Sequence, residues 1–118
     1  MTRTDLPSAP VTPPIALKDP GLWRTQAFVA GTWADADDGA TRDVTDPATG
    51  RNIGTVPGMG AAETRRAIAA ANAAWPAWRA KTAKERAAIL RKWHDLMLEH
   101  ADDLALILTT EQGKPLAE

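Results

Sequence analysis

The sequence predicts an α/β chain in which a short antiparallel β-ribbon is followed by three helices. Three observations carry that expectation. Between Gln26 and Val56, short runs of strand-forming residues alternate with Pro- and Gly-containing turns. From Gly60 onward, apolar residues recur at helical spacing. Thr82 with Glu85 three positions later, and then Gly113, mark a helix start and a helix end.

Residues 1–21 open the chain as a disordered leader. Pro7, Pro10, Pro13 and Pro14 fall here among few large apolar side chains. Such a segment buries too little surface to offset the entropy of ordering it. Residues 22–118 form the structured part. Phe28 and Val29 favour a pleated, half-buried surface. Gly31-Thr32 permits a tight turn, which places Trp33 on a second short extended piece. Asp35-Ala-Asp-Asp-Gly39 reads as an acidic turn, and it lacks the ligand spacing of a calcium loop. Thr41–Thr45 is the next strand. Asp46-Pro-Ala-Thr-Gly50 has turn chemistry, with Pro47 fixing one φ and Gly50 freeing another. Asn52–Val56 returns as a strand closed by Pro57-Gly58. This ribbon holds too few apolar residues to stand alone.

The first helix opens at Gly60-Ala-Ala-Glu63, with Glu63 near the positive end of its dipole. Its apolar stripe is Ala67, Ile68, Ala71 and Trp75, and Pro76 is expected to end it. Trp75 and Trp78 flank that break, where core packing is the expectation rather than a stacking platform. The second helix starts at the Thr82/Glu85 capping box. Ile89, Leu90, Trp93, Leu96 and Met97 line one face, opposite Arg91, Lys92, Asp95 and Glu99. Arg91 and Asp95 are spaced for an i,i+4 pair. The third helix turns Ala101, Leu104, Ala105, Ile107 and Leu108 to one side and ends at Gly113. Pro115 suits the first turn of a further helix. Large aliphatics are concentrated after Ile89, so the core is expected to be thin at the front and richer at the back.

Composition excludes several classes. A net charge of −1, with basic residues scattered, gives no case for nucleic acid or an anionic membrane. The 118 residues contain no cysteine, which excludes a disulfide framework, a zinc-thiolate site and a Cys nucleophile within them. No apolar run approaches the ~20 residues that span a bilayer, and no continuous apolar segment marks a secretory signal. A cytoplasmic protein is the default expectation. The only histidines are His94 and His100, and neither belongs to a metal-binding or catalytic pattern. Gly58-Met-Gly60 lacks the third glycine of a dinucleotide fingerprint. No catalytic or cofactor-binding residue emerges from the residues themselves.

Several local signatures nevertheless occur in a specific order. They are Phe28-Val-Ala-Gly-Thr-Trp33, Val44-Thr-Asp-Pro-Ala-Thr-Gly50, Ile53-Gly-Thr-Val-Pro57, Ala77-Trp78-Arg79, Lys84-Glu-Arg86 and Glu111-Gln-Gly-Lys-Pro-Leu-Ala-Glu118. Together they resemble the N-terminal end of the NAD(P)-dependent aldehyde dehydrogenases. Within that superfamily, Leu98-Glu-His-Ala-Asp-Asp-Leu104 and the final EQGKPLAE are most like the succinate-semialdehyde dehydrogenase branch. Asp46 stands where the family usually has Asn before the turn Pro, and it serves the same turn geometry.

The resemblance implies the N-terminal part of a cofactor domain in a homo-oligomeric oxidoreductase. That enzyme would oxidise succinate semialdehyde to succinate with NAD or NADP. It also implies a catalytic Cys, a Glu base and nucleotide contacts that fall beyond Glu118. The expectation is therefore an incomplete N-terminal portion, cut short, that binds no cofactor and is inactive by itself. Two rivals remain: a dehydrogenase of the same superfamily acting on another aldehyde, and a non-catalytic interaction module. The resemblance further implies a monovalent cation held by main-chain oxygens of Val44 and Thr45 and by the Glu111 carboxylate. The competing account of Glu111 is simple hydrogen bonding near a helix end.

Overall fold

The computed structural model describes residues 13–118, so the first twelve residues of the expected leader lie outside it. A 3₁₀ turn at Pro20–Leu22 precedes strands β1 (Ala27–Val29), β2 (Thr32–Ala34), β3 (Thr41–Thr45) and β4 (Asn52–Pro57). Helices α1 (Ala61–Ala80), α2 (Ala83–Glu99) and α3 (Ala101–Gln112) follow. The strands form two separate antiparallel pairs, β1–β2 and β3–β4. The architecture expected from the sequence is present, including the short hairpin of Phe28 and Trp33 ahead of the ribbon.

The first hairpin pairs Phe28 with Trp33. Their rings lie 5.0 Å apart, and the Arg24 guanidinium sits 4.8 Å from the Trp33 ring. The turn falls at Ala30-Gly31, one residue earlier than Gly31-Thr32. Both turn residues have positive φ, 52° at Ala30 and 78° at Gly31. Two such residues give the turn hand that matches strand twist, and Ala30 bears the steric cost of it.

The second pair follows its local chemistry closely. Asp46 Oδ1 accepts from the Ala48 N–H at 2.8 Å, and the Gly50 N–H donates to the Asp46 carbonyl at 2.8 Å. Gly50 sits at φ 71°. The register slips between Val44 and Thr45, which pair with Gly54 and Asn52 and leave Ile53 as the extra residue.

Helix α1 starts as expected, with Glu63 Oε2 accepting the Gly60 N–H at 3.0 Å. It does not stop at Pro76, which lies inside the helix. Proline removes one hydrogen bond to the turn before it, but the flanking alanines have the best helix propensity of any residue. That propensity carries the helix through to Ala80, where Lys81 turns extended. Helix α2 has the full capping box. The Glu85 N–H donates to Thr82 Oγ1 at 3.2 Å, and the Thr82 N–H donates to Glu85 Oε2 at 2.7 Å. The expected Arg91–Asp95 pair does not form; Asp95 instead lies 3.2 Å from His94 Nδ1. His100 closes α2 and opens α3, and Gly113 ends α3 at φ 83°. After Pro115 there is a single turn, closed by the Glu118 N–H on the Pro115 carbonyl at 3.1 Å, and no helix.

The core sits at the front of the chain, not the back. Among the described residues the buried apolar side chains are Trp23, 7% exposed, and Ala36. Trp23 lies over Gly54, where even a methyl group would come within 3.6 Å of its ring. The helical stripes stay open: Ile68 is 63% exposed, Trp75 50% and Trp93 60%. Trp75 is thus not a core residue here. Helical periodicity reports which face is apolar, not what covers it.

Candidate functional site

The end of α3 meets the turn between β3 and β4. Gly113 brings its backbone so close to Pro47 that an added Cβ would lie 3.1 Å from Pro47 Cγ. This contact brings the terminus of α3, two residues beyond Glu111, to the turn that follows Val44 and Thr45. Val44 is half-buried at the bulge, while Thr45 and Glu111 are exposed. Among the described residues no three His, Cys, Asp or Glu side chains gather as a metal site. A cation here would therefore rest mainly on main-chain oxygens, with one carboxylate. An all-oxygen donor set of that kind suits a hard cation.

Two carboxylate clasps tie distant segments together, and sequence reasoning missed both. Asp103, 5% exposed, accepts the Lys18 N–H at 2.9 Å and the Asp19 N–H at 2.8 Å. The Asp19 and then the Lys18 main-chain donors hold its carboxyl below the ordinary value. Lys18 Nζ adds an exposed pair with Asp102 at 2.6 Å. Asp19 in turn accepts the Gly21 N–H at 2.9 Å, which shapes the turn leading into Trp23. The second clasp is Glu63. Besides capping Gly60, its Oε1 accepts the Asp37 N–H at 3.2 Å, and Arg66 pairs with Asp37 at 2.5 Å. Its own N–H, then those of Asp37 and Gly60, hold its carboxyl below the ordinary value. The acidic turn at Asp35–Gly39 is thus a docking point for α1. The sequence signal for both clasps was an acidic residue in a helical first turn, which names no distant partner.

A groove of about 620 Å³ runs between the β1–β2 hairpin and α1, bordered by Val29, Trp33, Asp37, Glu63 and Arg66. Its charged groups are already engaged: Arg66 with Asp37, Glu63 with main-chain N–H groups, and Asp35 with Gln26 Nε2 at 3.0 Å. His94 and His100 are likewise structural, one beside Asp95 and the other at the α2–α3 junction. The described residues assemble no acid, base and nucleophile.

Comparison with known proteins accounts for a fold without reactive groups. A profile described as the aldehyde dehydrogenase family matches residues 33–118. A glutarate-semialdehyde dehydrogenase of Pseudomonas putida is 67% identical over 102 residues, which cover 86% of this chain and 21% of that protein. The NADP(+) succinate-semialdehyde dehydrogenase of Escherichia coli is 63% identical over the same shares. The solved succinate-semialdehyde dehydrogenase of Burkholderia pseudomallei superposes with a TM-score of 0.85 at 68% identity, over 87% of this chain and 21% of that one. The chain spans about a fifth of the length of these relatives. The profile match over residues 33–118, on a fold that superposes with these relatives, shows that this chain belongs to the aldehyde dehydrogenase family.

Proposed function

We propose that these residues are the N-terminal scaffold of a semialdehyde dehydrogenase that oxidises succinate semialdehyde to succinate. The observation that supports this most is the joint likeness to the E. coli and Burkholderia enzymes across nearly all of residues 22–118. The equally similar Pseudomonas protein supports glutarate semialdehyde as the alternative substrate, one methylene longer. When bound in the intact enzyme, NAD or NADP would accept the hydride. On this reading its phosphates are held outside this stretch, a view supported by the Glu63 and Glu85 carboxylates capping the N-termini of α1 and α2. The chain's own contribution is to place α1, α2 and α3 around two hairpins through the Asp103 and Glu63 clasps.

A chimera tests this directly. Residues 18–118, which keep Lys18 and Asp19 with Asp103, replace the matching segment of the E. coli enzyme. Retained oxidation of succinate semialdehyde supports the scaffold reading, and an unfolded or inactive chimera overturns it. The cation at Val44, Thr45 and Glu111 belongs to the same proposal, supported by the contact of Gly113 with Pro47. Glu111→Ala in that chimera is expected to weaken potassium dependence and thermal stability. Unchanged values for both would remove the cation and leave Glu111 a surface residue.

A further inference from the structure

We propose that the Asp38–Gly39 link is a site of spontaneous covalent modification, at which Asp38 converts to isoaspartate through a cyclic imide. The inference is independent of which aldehyde the intact enzyme oxidises. Asp38 is the only aspartate in the chain followed by glycine, and neither Asn52 nor Asn72 is. Every other Asp or Asn precedes a proline, whose nitrogen has no hydrogen to lose, or a residue whose Cβ crowds the main-chain nitrogen.

The fold presents this pair for reaction. Asp38 and Gly39 are both exposed, in the turn between β2 and β3. Asp38 Oδ1 accepts the Ala40 N–H at 2.9 Å, so the carboxyl folds forward along the Gly39 peptide. Gly39 sits at φ 72°, and apart from its chain neighbours no heavy atom lies within 4 Å of where a Cβ would be. The nitrogen is therefore open to approach. Its N–H donates to the Ala36 carbonyl at 3.0 Å. That bond closes an exposed turn outside any helix or strand, where local opening costs little.

The chemistry needs no group from outside except water. The Gly39 nitrogen attacks Asp38 Cγ and a five-membered ring closes. An N–Cγ bond forms, the Cγ–OH bond breaks, and the hydroxyl leaves as water with the proton from the nitrogen. One water then returns. Its attack at Cγ restores Asp38, whereas attack at the main-chain carbonyl breaks that carbonyl's bond to nitrogen and leaves the chain running through Cγ. The isomer lengthens the main chain by one carbon, about 1.5 Å. The neighbouring Asp37 gives its N–H to Glu63 and pairs with Arg66. Isomerisation thus acts where the turn docks on α1.

The experiment holds the purified 118-residue chain at neutral pH and physiological temperature for weeks. Trypsin then releases the peptide 25–42, which ends at Arg42 and contains Asp35, Asp37 and Asp38. The expected result is a second form of this peptide with the same mass, preceded by a form lighter by one water. Fragmentation should place the extra main-chain carbon at Asp38, and an isoaspartyl methyltransferase should methylate the aged chain. Asp38→Glu keeps the charge but would need a larger ring, and it should abolish the new form. Gly39→Ala should slow its appearance several-fold. A peptide that stays single overturns the proposal, as does isomerisation placed at Asp35 or Asp37, or conversion that survives Asp38→Glu. Conversion seen only when urea unfolds the chain overturns it too, because the native turn would then shield the site. The aged chain should unfold at lower urea than the fresh one, and an equal midpoint would overturn the link to α1 docking.

Discussion

Gly113 joins the two halves of the fold at one residue, and replacing it with alanine separates two costs that the structure places there. Its φ of 83° lies in the left-handed region, which costs an L-residue roughly 1–2 kcal/mol. Alanine also restricts the unfolded chain, which returns about 0.4–1 kcal/mol. The net effect of backbone geometry is therefore about 1 kcal/mol of destabilisation. On top of it comes the new Cβ, 3.1 Å from Pro47 Cγ, closer than ordinary van der Waals contact. Asn tolerates the left-handed conformation but carries the same Cβ. Stability should then run Gly113 above Gly113→Asn above Gly113→Ala. Urea unfolding followed by helical circular dichroism reads this as a midpoint shift of roughly half to one molar for alanine. An alanine variant as stable as the parent refutes the reasoning. Asn as damaging as Ala shifts the cost to the Pro47 contact, and Pro47→Ala should then restore the midpoint.

Other outcomes follow from the same geometry. Ala30→Asn converts the first turn to Asn-Gly, which suits two positive φ values, and should stabilise the chain by about 0.5–1 kcal/mol in the same urea assay. Asp103, Glu63 and Glu85 all have carboxyls held below their ordinary values of 3.8 and 4.5 by main-chain donors. Depressed values mean stability that is present above those ordinary values and lost as pH falls through the folded ones. Urea midpoints should be level from about pH 7 to 5 and drop below about pH 4.5. Asp103→Asn should flatten the lowest part of that drop, and a curve unaltered by it would remove Asp103 from the acid response.

Local chemistry made much of this fold legible. The Thr82/Glu85 capping box, the Asp46–Gly50 turn and the left-handed Gly113 each depend on residues within five positions of one another. Pro76 does not end α1, because the helix propensity of the alanines around it outweighs the proline's own bias. Trp23 and Asp103 were missed for another reason. The Trp23 ring lies close to Gly54, about thirty residues on, and Asp103 accepts main-chain N–H groups more than eighty residues away. No periodicity encodes such pairings. Spacing identifies the helical stripes as apolar, and they stand exposed, because sequence spacing names the face but not its cover. The candidate cation residues entered by resemblance alone, since main-chain oxygens leave no mark in side-chain identity.

The central claim is that these 118 residues supply framework and no reacting group. The most direct test mixes the purified chain with succinate semialdehyde and either NAD or NADP, and follows the absorbance of the reduced cofactor. The account predicts no turnover by the chain alone. Sustained formation of NADH or NADPH that co-purifies with the chain would contradict it.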